Sequence, residues 1–135
     1  MVIDTSAIVA ILFDEPERRE FITVIEANPR RLISGATVFE ASIVVEARRG
    51  ESAGRELDLL LHRAKVQIVE VDQDQADLAR AAWRRWGKGR HPAGLNYGDL
   101  FAYALSRATG EPLLYKGDDF AQTDVASARP TPGGR

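Results

Sequence analysis

The sequence predicts an α/β fold, a parallel sheet covered on both faces by helices, and three observations lead there. Short aliphatic or β-branched runs at Val2-Ile3, Leu32-Ile33-Ser34, residues 66–71 and Leu113-Leu114-Tyr115 alternate with stretches of helical periodicity. Strand, crossover helix and parallel strand in succession connect right-handedly, which lays the helices on the sheet's faces. The 135 residues are one domain's length, enough to bury roughly 70% of the extended chain's surface without a staple.

Each element has a local cause. Val2-Ile3 runs into Asp4-Thr5-Ser6 and the apolar stretch 7–13, which reads as strand, turn and helix, with Asp4 at the strand's carboxyl end. Asp14-Glu15-Pro16 supplies an N-cap, a first-turn acid and a proline near N1 for a second helix, burying Phe21, Val24 and Ile25 and stopped by Asn28-Pro29. After the strand at Leu32, Thr37-x-x-Glu40 has the form of a capping box for a helix that ends at Gly50. Leu57, Leu60 and Leu61 share one face of the next helix, and 66–71 is rich in β-branched residues. Asp72 caps a helix whose apolar stripe is Ala76, Ala79, Trp83 and Trp86, which predicts both tryptophans in the core.

Glycines 87, 89, 94 and 98 with Pro92 make a loop, Asp99 opens a helix, and Gly110 closes it before the last strand. From Ser127 the chain holds Pro130, Pro132, Gly133 and Gly134. The expected organisation is therefore a domain over residues 1–126 and a flexible tail over 127–135.

Composition narrows the function. The chain has no cysteine, which rules out disulfides and thiolate chemistry and fits a reducing compartment. Its net charge of -2 decides nothing about nucleic acid by itself. Without a signal-like N-terminus or an apolar run of roughly 18 residues, a cytoplasmic protein with no membrane partner is expected.

Ligands bind an open parallel sheet beyond the carboxyl ends of its strands. The polar residues expected there are mostly acids: Asp4, Glu40, Asp99, Asp118 and Asp119. Carboxylates gathered together repel one another unless protons or a hard cation neutralise them, and Mg²⁺ or Mn²⁺ suits oxygen ligands. Such a site activates water for attack on a phosphodiester. Each acid also has a structural use: Glu40 as a capping partner, Asp99 at a helix dipole, one of Asp118 and Asp119 in a turn. Asp4 is the hardest to explain by packing. Glu70 and Asp72 serve as controls with structural roles only, Asp72 as an N-cap. His62 and His91 have no helical partner, so no histidine metal site is expected.

Met1-Val2-Ile3-Asp4-Thr5-Ser6-Ala7, Phe39-Glu40-Ala41, the run Leu95-Asn96-Tyr97-Gly98-Asp99-Leu100-Phe101, and Leu114-Tyr115-Lys116-Gly117-Asp118-Asp119-Phe120 together resemble the PIN-domain ribonucleases, and among them the VapC toxins of type II toxin-antitoxin pairs. The resemblance spans essentially the whole chain. It implies a three-layer α/β/α sandwich with a parallel sheet of four to five strands. It also implies an Mg²⁺- or Mn²⁺-dependent endoribonuclease that inhibits translation and growth, a VapB-type antitoxin partner, and a homodimer that assembles further with antitoxin. Carried over by position, the catalytic acids are Asp4, Glu40, Asp99 and Asp118, with Asp119 the reserve for the fourth. Asp4 and Asp99 are the metal ligands, and Ser6 is the hydroxyl supporting the first acid. The early helices, through Ile8, Ile11, Leu12 and Phe21, are the expected apolar seam for partners.

Between Leu78 and Gly98 no acid occurs, while Arg80, Arg84, Arg85, Lys88 and Arg90 precede Asp99. A basic stretch leading to the acids can track phosphates, and Arg84, Arg85, Lys88 and Arg90 are the candidate RNA contacts. The plainer alternative is a solvated helix face and loop. Two other functions compete. A receiver-type signalling module, favoured by Lys116, needs an acceptor aspartate on its central strand, and no Asp occurs between Asp14 and Asp58. An inactive binding protein of PIN fold has no need of the intact acids.

Overall fold

The computed structural model describes residues 1–130. Its elements run β1 (Val2–Ile3), α1 (Thr5–Leu12), α2 (Arg18–Ala27), β2 (Leu32–Ser34), α3 (Gly35–Arg49), α4 (Glu51–Arg63), β3 (Gln67–Val69), α5 (Gln73–Trp86), α6 (Tyr97–Thr109) and β4 (Leu113–Leu114), followed by a 3-10 turn at Phe120–Gln122. The four strands form a parallel sheet in the order β3-β2-β1-β4, with Val2 opposite both Leu32 and Leu113 and Ile3 opposite Leu114. The chain thus steps outward from β1 to β3, then returns to pair β4 on the other side of β1. The order reverses at β1 and β4, where an open sheet forms its binding crevice.

Side chains alternate across a strand, and here alternation divides the core. Met1, Ile3, Ile33 and Leu114 face α1 to α4, joining Ile8, Phe21, Val45 and Leu57. Val2, Leu32 and Leu113 face the opposite way, joining Trp86, Leu100 and Leu105 from α5 and α6. Burying each of these large aliphatic or aromatic side chains contributes about 1.5–3 kcal/mol, and together the two sets make the expected three-layer sandwich. Among the described residues, no helix is long and apolar enough to cross a membrane.

Several local expectations change. α2 begins at Arg18 with no side-chain cap, and Asp14 sits instead in the left-handed region at φ 53°, in the turn that precedes it. α3 is capped by Ser34, whose Oγ accepts from the Ala36 amide at 3.2 Å, so Thr37 and Glu40 form no capping box. β3 is shorter than the 66–71 run because it is the edge strand: Gln67 and Ile68 are exposed, and little packing extends it. In α5 the buried face is Gln75, Ala82 and Trp86. At 100° per residue Trp83 falls to the side of that face, and it is 44% exposed where a core position was expected.

The early helices also differ from expectation. Ile8, Ile11 and Phe21 are fully buried, so they cannot form an apolar seam for partners. The expected tail boundary shifts as well: Ser127 bridges Leu113, the Ala128 amide donates to the Leu113 carbonyl at 2.8 Å, and Arg129 pairs with Glu20 at 2.7 Å. Docked backbone of this kind belongs with the domain. Residues 131–135 of the expected tail lie outside the described residues. Gly110, at φ 74°, takes the left-handed C-cap conformation that ends α6, as its sequence position predicts.

Candidate active site

The pocket starts at the end of β1. Asp4 leaves the strand extended and becomes the N-cap of α1: its Oδ2 accepts from the Ser6 amide at 3.0 Å and from the Ser6 hydroxyl at 2.6 Å. The acid that packing seemed least able to explain therefore has a structural role after all. That role uses one oxygen only. Asp4 is 3% exposed, and its Oδ1 is buried with no hydrogen-bond partner in the protein. Burial pushes the carboxyl's pKa up, the two Ser6 bonds oppose that, and the Glu40 charge adds to the rise. Ser6 is fixed in turn, because its Oγ accepts from the Lys116 amide just beyond β4 at 2.9 Å. The switch point is therefore tied from β4 through Ser6 to Asp4.

Glu40 reaches the pocket from the second turn of α3, and the Thr5 hydroxyl donates to its Oε1 at 2.5 Å. Its other oxygen lies against α6, at Gly98, where an added methyl group would overlap the carboxylate. Glycine at 98 thus permits the close approach of α3's acid to the start of α6. Neither Thr5 nor Gly98 was among the sequence candidates. The signal for both was adjacency, since each sits beside an acid in a short polar motif.

Asp99 opens α6 in a reciprocal capping box: its amide donates to Asn96 Oδ1 and its Oδ2 accepts from the Asn96 amide, both at 2.9 Å. The helix-start role is real, and the electrostatics add a second one. Partial burial is the main cause that drives Asp99's pKa from 3.8 to about 7; the Asn96 bond opposes it, and the charges of Asp4, Glu40 and Asp119 reinforce it. Asp119, the reserve, is among the leading charges that act on Asp99, while the Asp118 backbone carbonyl accepts from the Gln122 side-chain amide. Lys116 does not neutralise the pocket. Its Nζ is held by Glu15 at 2.9 Å and Glu17 at 3.2 Å.

These features suit a hard divalent cation. An unpartnered buried carboxylate oxygen and mutually repelling acids are stabilised by positive charge, and all the donors are oxygens. Among the described residues no three such side chains converge as a ready cage. Mg²⁺ does not require one, because it is commonly held by one or two carboxylates and keeps several waters. Asp4 Oδ1 and Asp99 are the available pair.

The basic candidates separate on inspection. Arg85 lies 3.8 Å from Asp124 and stacks on Trp86, so its charge is partly committed within the fold. Arg84 and Lys88 are exposed, and Arg90 lies over the Trp83 ring at 4.6 Å while its Nε donates to the Arg84 carbonyl. An exposed apolar surface lies elsewhere than expected, in a groove between α3 and α6 lined by Phe39, Ile43, Val44, Tyr97 and Phe101.

Known proteins resemble this chain in sequence and in fold. The PIN domain family model matches residues 1–126. Ribonuclease VapC30 of Mycobacterium tuberculosis is 59% identical over 127 residues, covering 94% of this chain and 97% of the relative. Among solved structures, Mycobacterium tuberculosis VapC20, described as a sarcin-ricin loop cleaving toxin, has a TM-score of 0.78 at 17% identity, covering 96% of this chain and 98% of that one. VapBC2 from Rickettsia felis, bound to a promoter DNA fragment, has a TM-score of 0.69 at 15% identity, covering 93% and 94%. At those identities the two structures bear on the fold alone. The full-length family match and the close relative go further: this chain belongs to the PIN-domain family and, within it, to the VapC ribonucleases.

Proposed function

We propose that this chain is the toxin of a VapB-VapC pair, an Mg²⁺- or Mn²⁺-dependent endoribonuclease that arrests translation and growth by cutting RNA. The observation that carries the reading is the buried, unpartnered Oδ1 of Asp4, an acid whose charge acts on Asp99 together with those of Glu40 and Asp119. Asp4 and Asp99 would hold the cation, which supplies charge neutralisation at the scissile phosphate and a water acidified for attack. The chain's own residues do the rest. Ser6 keeps Asp4 Oδ2 occupied so that Oδ1 faces the pocket, Thr5 orients Glu40 toward the attacking water, and Asn96 fixes Asp99. Asp119 takes the fourth acidic position in this reading in place of Asp118. Arg84, Lys88 and Arg90 draw the RNA backbone toward the acids.

The direct test is cleavage of labelled RNA with Mg²⁺ or Mn²⁺ and with EDTA. Activity with metal and its loss in EDTA are expected; full cleavage in EDTA overturns the mechanism. Co-expression with a cognate VapB-type antitoxin should relieve growth arrest. The expected homodimer moves to the α3/α6 groove, where Phe39 and Ile43 stand in solvent on an apolar face. Ile43→Glu should give a monomer by light scattering at micromolar concentration, and an unchanged dimer would place the seam elsewhere.

A further inference from the structure

Trp83 is the exposed tryptophan of a pair whose other member, Trp86, is buried. It stands between two recesses that flank Tyr97 and Leu100: Arg80 lines one, and Lys88 and Asn96 line the other, a cleft of about 410 Å³. That volume falls within the range of clefts that take small ligands, roughly 300–1,000 Å³. No acid lines either recess among the described residues. The Arg90 guanidinium lies over one face of the indole, 4.6 Å from its centroid, so a cation already covers that face and a base would stack on the other face or displace the guanidinium. Asn96 is also the capping partner of Asp99, which makes the wall of this cleft continuous with the acid pocket.

We propose that Trp83, with Tyr97 at its side, is a stacking platform for an unpaired base of the RNA strand whose phosphate enters the acid pocket. The proposal rests on the ribonuclease reading and adds how the substrate is gripped. Single-stranded RNA is bound by aromatic faces set within basic grooves, the combination found here. A protein-docking centre has a different composition, depleted of lysine and of charge generally. Arginine is the exception, enriched at such centres along with aromatic rings, so the discriminating features are Lys88 and the lack of a lining acid among the described residues, which suit phosphates flanking a stacked base. The α3/α6 groove, by contrast, is apolar and lined by one charged residue, Glu40.

The test is binding of a short fluorescein-labelled single-stranded RNA in EDTA, followed by anisotropy, alongside the same strand with abasic positions. Base stacking on one aromatic ring is worth about 5- to 100-fold in affinity. Trp83→Leu should lose that much on the normal strand, Trp83→Phe should stay within about threefold because it keeps a ring, and both should bind the abasic strand like the parent. Thermal melts of the two variants should match the parent, since the side chain is outside the core. Unchanged binding by Trp83→Leu, or an equal loss on the abasic strand, overturns the platform. So does intact RNA binding with weakened self-association or antitoxin binding, which would assign the surface to a protein. Cleavage by Asp99→Asn, measured in parallel, separates the two readings: its loss alongside unchanged Trp83→Leu binding refutes the platform and leaves the nuclease standing.

Discussion

Asp4 is 3% exposed and its carboxylate is gripped by two donors from Ser6, whereas Arg84, Lys88 and Arg90, in the stretch that precedes Asp99, are exposed with few side-chain bonds. The two regions are built oppositely. In the acid pocket, burial raises the energy of the charged forms, and rigid hydrogen bonds keep the acids from relaxing apart. On the basic approach, solvent screens every charge, and the side chains remain free to follow a backbone that varies from one RNA to another. The difference teaches that, in the proposed reading, chemistry sits where electrostatic cost is highest and substrate capture where that cost is lowest. Substitutions in the first region should therefore change rate, and those in the second should change affinity.

The largest effect is expected from Asp4→Asn, which keeps an acceptor for Ser6 and removes the charge. RNA cleavage should fall at least about 100-fold, the scale of losing one preorganised charge-stabilising group, with the circular dichroism spectrum unchanged. Equal cleavage by variant and parent would dissolve the contrast between the regions. Asp119→Asn should cost more activity than Asp118→Asn, and the reverse ranking would return the fourth acidic position to Asp118.

Gly98→Ala and Thr5→Val come next, because each disturbs Glu40 without touching the other acids. Loss of an outer partner that orients a site carboxylate costs about 10- to 100-fold in activity. The loss should appear in kcat, with KM nearly constant. A change confined to KM would mean that Glu40 works on binding and belongs with the basic region.

The pH dependence of stability sharpens the comparison further. The fold raises Asp99 from 3.8 to about 7, so over that interval the native chain keeps a proton that the unfolded chain has released. Metal-free protein should lose stability as pH climbs from about 4 to about 7 and level off above, with Asp4 shifted in the same direction. Thermal melts in EDTA should show Tm falling by on the order of ten degrees across this range. Mg²⁺ should restore part of the loss at neutral pH, and Asp99→Asn should flatten the slope. A Tm rising over the same interval would contradict the assigned burial.

The smallest effects belong to the basic approach. Neutralising Arg84, Lys88 and Arg90 should leave stability within about 0.5 kcal/mol per site while lowering the salt slope of RNA affinity by about one per lost phosphate contact. Arg85→Gln should do the opposite, shifting Tm slightly through Asp124 and Trp86 and leaving the salt slope alone. An equal loss of slope at Arg85 would show that its pairing with Asp124 gives way to RNA.

The strand and helix order was legible because it depends on local periodicity, caps and breakers. Asp72 caps α5 by accepting from the Gln75 amide, and Gly110 ends α6, both as their positions predict. The α2 cap and the α3 capping box were misread because several short polar residues compete at those helix starts, and packing selects among them. The acids were legible as a set, since parallel topology brings strand ends to one edge. Their partners were not: Thr5 bonds Glu40 across 35 positions, and Ser6 meets the Lys116 amide across 110.

By itself, then, the sequence determined the α/β class, the parallel crossovers and the gathering of Asp4, Glu40 and Asp99, because these follow from residue type and chain order. Tertiary structure decided which of two tryptophans is buried, which apolar side chains stand exposed between α3 and α6, that the Asp119 charge acts on Asp99, and which oxygen of Asp4 is left without a donor. Those choices depend on the rotation of α5 about its axis and on contacts between segments remote in the chain. A one-residue rotation turns a helix face by 100°, so the same stripe of residues fits either answer until the helix is packed.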